Sequence, residues 1–416
     1  MSATLAYPMR SQTYPLRPAL MGLALAAAVV AGSIALTRGK GVAPAQADFN
    51  GSGLVDFEDF FLFAGVFGRG VSEEGYEPKF DMDRSGRVDF EDFFMFAEVF
   101  GKTALEGVEK DGIAARYPGD AGIERDSSVV FVEDFEEASL DELKGRWESV
   151  SSAEIMSFSD DVHPGSAGKR SLLMSHVGGR GNGGHLYRRL SPGYERLHVR
   201  FYVKFDPQCN PIHHFFHVGG YNPSTPWPQG GAGERPRGDD RFSTGVEPYG
   251  NSWVWDYYTY WMEMRGSPPQ GQTWGNSFVR DPGLKAKRGE WVCAEVMMKM
   301  NDVGDTNGEM ALWIEGKLVS HLGKGFPSGR WTYDKFLPGE GGEGIRWSDE
   351  KGGPERFTVP AGGAPFEGFR WRRDERLKLN FLWVLLYITT APQGLVSKVW
   401  FDHIVVARQY IGPLSQ

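Results

Sequence analysis

Cysteine is nearly absent from this chain of 416 residues: Cys209 and Cys293 are the only two, and no C-x-x-C occurs. Cysteine-based zinc sites and dithiol redox chemistry are thereby excluded, while one disulfide and two buried thiols both stay open. A basic surplus is missing too. The net charge is −9, concentrated in one segment, and no nucleic-acid partner is expected. Retaining glycosidases carry alternating acids, as in E-x-D-x-x-E, to set two carboxylates about 5 Å apart. Nothing of that kind occurs beyond residue 128, where the nearest run is "EDFEE" from Glu133. A dinucleotide fingerprint is excluded as well. "GRGNGG" at 179–184 runs into "HLYRRL", which reads as strand, so no helix N-terminus follows to hold a pyrophosphate.

What is abundant is glycine and aromatic side chains: 55 Gly, 28 Phe, 15 Tyr and 13 Trp. At the N-terminus Arg10 and Arg17 precede an apolar run from Ala19 to Leu36, and Ala45-Gln46-Ala47 fits a small-residue cleavage site. Residues 1–47 therefore read as a signal peptide or a signal anchor, with residues 19–36 the membrane-anchoring stretch. The rest is expected outside the cytoplasm, secreted or held at the cell surface.

Two near-copies follow, "DFNGSGLVDFEDFFLFAGVFG" from Asp48 and "DMDRSGRVDFEDFFMFAEVFG" from Asp81. Both fit the calcium-loop template with ligands at positions 1, 3, 5, 7, 9 and 12. The first set is Asp48, Asn50, Ser52, the Leu54 carbonyl, Asp56 and Asp59; the second is Asp81, Asp83, Ser85, the Arg87 carbonyl, Asp89 and Asp92. Gly53 and Gly86 stand at position 6, where the turn is tight. Val55 and Val88, at position 8, are the residues through which paired loops are expected to touch. Each loop leads into a helix with Phe60, Phe63, Ala64 and Phe67, or Phe93, Phe96, Ala97 and Phe100, at helical spacing. Ca2+ is the cofactor these residues call for. Thirteen acidic and five basic residues lie between Asp48 and Ala104, so the chain's acidity belongs to these loops.

The loop-plus-exiting-helix unit, with Asp at position 12 and no entering helix before the first loop, resembles a dockerin over residues 48–104. That resemblance implies a cohesin-like protein partner. The chain departs from dockerins at positions 10 and 11, where Phe57-Glu58 and Phe90-Glu91 replace the usual small hydroxyl residues.

Residues 105–127 are polar and weakly patterned and read as a linker. From 128 to 413 the period becomes two. In "LHVRFYVKF" Leu197, Val199, Phe201, Val203 and Phe205 share one face, and His198, Arg200, Tyr202 and Lys204 the other. "WVCAEVMMKM" turns Val292, Ala294, Val296, Met298 and Met300 inward, "MALWIEGKLVSHL" forms a hairpin at Glu315-Gly316, and two long strands close the chain. The fold class is mainly β: a sandwich of two curved sheets, preceded by the small helical calcium module.

"FVEDFEE", "HVRFYVKFD", "WIEGKLV" and "VWFDHIVVA" together resemble the concanavalin A-like lectin/glucanase jelly roll, and within it the alginate and glucuronan lyases. The resemblance implies an acidic polysaccharide, or another glycan, bound on a concave sheet, and β-elimination as the reaction. Elimination beside a uronate needs a group to neutralise the carboxylate, a base for the C5 proton and an acid for the leaving oxygen. The residues nominated are His213 and His217 on one face of "PIHHFFHVGG", with His214 opposite. From "WDYYTYWMEMRG" come Tyr258 and Tyr260 on one face and Glu263 and Arg265 on the other; Arg200 and Lys204 add charge on a polar strand face. The Gly- and Pro-rich stretch 219–252, carrying Trp227, Arg235, Arg237, Asp239, Asp240 and Arg241, is expected to line the groove. The competing function is a non-catalytic, lectin-like or scaffold protein built on the same sandwich.

Overall fold

The computed structural model describes residues 42, 44–49, 55–102, 112–268, 270–339, 342–348, 353–359 and 362–415. Residues 1–41 of the targeting segment, its apolar run included, and the loop residues Asn50, Ser52 and Leu54 lie outside them; Pro44–Ala47 form one short helical turn. No helix among the described residues is long and apolar enough to cross a membrane. The chain divides into two compact units, with the boundary between Ala104 and Leu105.

The first unit is built on the helices Phe57–Val66 and Phe90–Val99. Asp56 and Asp89 cap them, and the carboxylates of Asp59 and Asp92 reach back to the capping residues' own N–H groups, closing a capping box at each. Phe63, Phe80, Val88 and Phe93 form one buried cluster, and Val55, Phe96 and Val99 another. The position-8 valines are buried, but their backbones pair elsewhere than with each other. Val55 bonds to Gly101 and Lys102, and Val88 to Gly68 and Arg69, so each loop is tied to the turn after the other copy's helix. Both pairings obey the same 33-residue offset that separates Asp48 from Asp81, which gives the unit an internal two-fold relation.

The second unit is an antiparallel sandwich. In chain order its strands are β1 (Val129–Glu133), β2 (Ser149–Ser151), β3 (Met156–Ser159), β4 (Ser171–Val177), β5 (Gly183–Tyr194) and β6 (Arg196–Phe205). Then come β7 (His214–Tyr221), β8 (Arg241–Tyr249), β9 (Val254–Tyr260), β10 (Trp291–Lys299), β11 (Glu309–Ile314) and β12 (Lys317–Leu322). The short β13 (Ser328–Thr332), β14 (Lys335–Pro338), β15 (Gly342–Ser348), β16 (Gly353–Val359) and β17 (Ala364–Pro365) precede the long β18 (Leu379–Tyr387) and β19 (Val396–Ala407). One sheet runs β12-β11-β10-β6-β19-β4-β3, with β1 also on β19; the other runs β2-β5-β18-β7-β8-β9.

The alternation in β6 and β10 sorts as the sequence pattern requires: Leu197 to Phe205 and Val292 to Met300 enter the core at every second residue. Phe201 stacks on Phe216 of the opposite sheet at 3.9 Å, and Phe205 meets Phe215 and Trp255. Cys209 and Cys293 are both buried and both free thiols.

One boundary is corrected. Residues 112–127, read as linker, pack onto the sandwich as a strap. Ile113, Ala114 and Ile123 share a buried cluster with Val405, Ala407 and Ile411, and the N–H groups of Ile113 and Ala114 bond to the carbonyls of Tyr410 and Ile411. The buried Ile113, Ala114 and Ile123 and the half-buried Tyr117 hold the strap, too few and too irregularly spaced to show a period.

Candidate functional site

Four of the residues nominated from sequence converge on the outer face of the six-stranded sheet, the side away from the shared core. β7 sits between β18 and β8, and β9 pairs with β8, so one row across the sheet reads Tyr187, Trp383, His217, Gly245, Tyr258. Tyr258 and Tyr260 project from alternate positions of β9, their hydroxyls 3.3 Å apart, and the Tyr258 ring lies 4.8 Å from that of His214. His213, exposed at the entry to β7, places its ring 4.3 Å from His214 and its Nδ1 3.0 Å from Thr389 Oγ1.

The assignment of faces is corrected. Strict alternation sets His213 with His217 and His214 opposite, yet His214 and His217 lie on the same side. The β7–β18 ladder slips between Val384 and Tyr387, and both Phe215 and Phe216 turn into the core. Two successive large apolar residues facing one way cost the strand its period, and the irregularity re-aims the next side chain.

Glu247, not nominated from sequence, joins the two imidazoles. Its Oε1 lies 2.6 Å from His214 Nδ1 and 3.3 Å from His217 Nε2, and the residue is 3% exposed. Burial by itself would raise this carboxyl, but the charge and hydrogen bond of His214, with a lesser pull from His217 3.3 Å away, bring it down to about 2. An ionised carboxylate can only accept, so His214 Nδ1 carries the proton of the short bond, and in the neutral ring the lone pair is then on Nε2. Burial lowers His217, and burial with the neighbouring His214 lowers His213. Burial and the adjacent Tyr260 push the Tyr258 hydroxyl far above its ordinary value, so it stays protonated at neutral pH. Gly245 is required by this arrangement: a Cβ there would stand 2.9 Å from Glu247 Oε1 and 3.0 Å from His217 Cε1.

Glu247 escaped notice because stretch 219–252 reads as one long Gly- and Pro-rich loop. Its second half is strand β8, and the signal was present: Phe242, Thr244 and Val246 face inward while Ser243, Gly245 and Glu247 face out. The remaining loop, 222–240, docks on the same outer face. Tyr187 Oη donates to the Thr225 carbonyl at 3.1 Å, Gln229 N–H to Tyr221 Oη at 3.2 Å, and Gly233 N–H to Tyr260 Oη at 3.4 Å. Trp227 on this loop and Trp274 near its tip are 58% and 42% exposed, open ring faces of the kind that stack on sugars.

Both nominated arginines lie elsewhere, a second correction. Arg200 is on β6 of the other sheet, fully buried, and bonds to Asp120 of the strap and the Gly412 carbonyl. Arg265, past the end of β9, pairs with Glu367 and stacks 4.3 Å from the Trp331 ring. Lys204 pairs with Asp161 at 2.6 Å. The acids of "EDFEE" serve the fold: Glu133 accepts from Trp147 Nε1 and from the Phe135 N–H, and burial raises its carboxyl to about 7.

In the first unit the second acidic loop is described in full. Carboxylate oxygens of Asp81, Asp83 and Asp92 lie within 4.8 Å of one another. Asp81, 5% exposed, accepts from the N–H groups of Ser85 and Gly86 and, at 2.5 Å, from Tyr76 Oη. Gly86 turns the chain at φ 91°. Asp92 accepts from Met82, Asp83 and Asp89 N–H groups, which winds the loop around its three acids. Of the first loop, Asp48, Asp56 and Asp59 are described.

No protein-family model matches the sequence, and no curated protein matches it. Among solved structures the chain is similar to alginate lyase Aly36B, at 12% identity and TM-score 0.42 over 68% of this chain and 98% of that one. It is similar to alginate lyase vAL-1 from Chlorella virus at 13% and 0.41, covering 66% and 100%. It is also similar to an endo-beta-1,4-glucuronan lyase from the fungus Trichoderma reesei, at 16% and 0.36 over 67% and 95%. These structural neighbours are polysaccharide lyases at low sequence identity.

Proposed function

We propose that the chain is an exported, calcium-binding protein whose sandwich binds an acidic polysaccharide on the outer face of the six-stranded sheet and cleaves it by β-elimination. The observation that carries this reading is the cluster of His214, His217 and Glu247 beside the hydroxyls of Tyr258 and Tyr260. His214 Nε2, its ring oriented by Glu247, takes the proton from C5 of a uronate. The electron pair forms the C4–C5 double bond, the C4–O bond breaks, and Tyr258 gives its proton to the leaving oxygen. Arg200 and Arg265 are engaged elsewhere, which leaves the uronate carboxylate to donors on the open face and the docked loop. Trp227 and Trp274 would hold neighbouring sugars, and the same two rings are what favours the alternative, a protein that adheres to glycans without cutting them.

In the first unit, Asp81, Asp83 and Asp92 are chemically suited to a hard cation that takes six to eight oxygens, and Ca2+ bound there would relieve the repulsion among them. Export rests on the apolar run at 19–36, and the module's part is to dock the enzyme to a partner protein. Incubating the protein with a panel of uronate polymers, and following the ultraviolet absorbance of the unsaturated ends, tests the reaction. Product that vanishes in His214→Ala supports elimination. Binding to a polymer without any product would leave the adhesive reading standing in its place.

A further inference from the structure

A ring nitrogen of His214, a ring nitrogen of His217 and a Glu247 carboxylate oxygen lie within 4.8 Å of one another, and two imidazoles with one carboxylate are a donor set that holds zinc in open, three-ligand sites. Hydrogen bonding accounts for only part of the cluster. His217 is 6% exposed, and its Nε2 is buried without a hydrogen-bond partner, although Glu247 Oε1 is only 3.3 Å away. Buried polar atoms are almost always satisfied, and one that is not points to a missing water or ion. Gly245 keeps this corner clear of any side chain of its own.

We propose that His214, His217 and Glu247 bind a zinc-class divalent ion, and that the bound ion holds the site inactive by engaging the imidazoles on which proton abstraction depends. Metal–ligand bonds of about 2.0–2.2 Å in a tetrahedron set donors roughly 3.2–3.6 Å apart. The His217–Glu247 separation already meets this; the His214–Glu247 pair opens from 2.6 Å, and the two imidazole nitrogens start within 4.8 Å of each other. His214 is the half-buried member of the three and has the room to turn. The ion takes the place of the proton that His214 Nδ1 shares with Glu247; a neutral imidazole then carries that proton on Nε2, the nitrogen that proton abstraction needs free. Imidazole nitrogens favour late first-row ions over calcium, so the ion that fills the acidic loops of the first unit does not compete here. The inhibitory half rests on the elimination proposed above; the binding half does not.

The test is calorimetric titration of the full-length protein with Zn2+ in excess Ca2+, alongside the visible absorption of added Co2+. The expected result is one Zn2+ site and Co2+ bands of low coordination number. Both should weaken by at least about tenfold in His214→Ala and in Glu247→Gln, with thermal melting confirming that each variant is folded. Zn2+ uptake unchanged by both substitutions, or no uptake by the parent, overturns the site. Zn2+ that binds while elimination proceeds undiminished retains the site and removes the inhibitory role. If no uronate polymer is cleaved, the elimination reading falls while the titration still decides whether the ion binds.

Discussion

The two outer faces of the sandwich bury the same kinds of groups and use them differently. On the eight-stranded sheet, the Asp120 carboxylate bonds to Arg200 and to His403 Nδ1 at 2.8 Å, and His403 Nε2 lies 2.6 Å from Ser166 Oγ. Glu295 likewise accepts from His198 and from the N–H groups of Ile411 and Gly412. On the six-stranded sheet Glu247 also holds two imidazoles, yet His217 Nε2 has no hydrogen bond and His214 and Tyr258 are half-exposed. The difference is the strap: residues 112–126 and the C-terminus close the first face, while a loop closes only part of the second. A His–carboxylate pair is therefore no marker of chemistry by itself. Its meaning depends on whether both imidazole nitrogens are already engaged.

The sharpest way to break this comparison is to open the closed face. Asp120→Ala leaves Arg200 buried at 0% exposure without its counter-ion, and losing one partner of a buried pair costs about 3–5 kcal/mol. Chemical denaturation should show a loss of that order, and a chain starting at Asp126 should fail to melt cooperatively where one starting at Gly112 succeeds. A near-neutral Asp120→Ala would mean that the strap is decoration.

The open face should respond the other way. His214→Ala and Tyr258→Phe should each lower product formation by roughly a hundredfold or more, with melting temperatures within a few degrees of the parent. Equal losses of activity and stability would make the two faces alike and remove the distinction.

A smaller effect is expected with pH. The Glu247 carboxyl titrates near 2 in the fold against an ordinary 4.5, so the unfolded chain binds the additional proton first. Its contribution is complete above about pH 4.5 and disappears as the pH falls towards 2. His217, lowered by burial, acts in the same direction from about 6.5 downward. Glu247→Gln should flatten the acid limb of the stability curve between pH 4.5 and 2; an unchanged limb would show that the carboxylate is not held ionised by its imidazoles.

The least effect on the sandwich is expected from calcium. Asp81→Ala should lower the helix signal of the first unit and leave the sandwich melt where it was. A shift of that melt in this variant would tie the sandwich's stability to the first unit's loop.

Much of this was legible in the sequence because it depends on local periodicity. A period of two sorts Leu197 to Phe205 from His198 to Lys204 whatever the rest of the chain does, and the loop template specifies Asp81, Asp83 and Asp92 by spacing alone. Tyr258 and Tyr260 were placed on one face by the same rule. Contacts distant in sequence had to decide the rest. Asp120 meets Arg200 across eighty residues and His403 across 283, and no local pattern in a polar segment announces either. The slip at Phe215 and Phe216 follows from what the core opposite could accept, since Phe201 and Phe205 offer both rings a place. That packing, absent from any alternation rule, turned His214 towards Glu247. Composition and period determined which residues were polar on a strand; pairing across sheets and loops determined which of those polar groups were left to act.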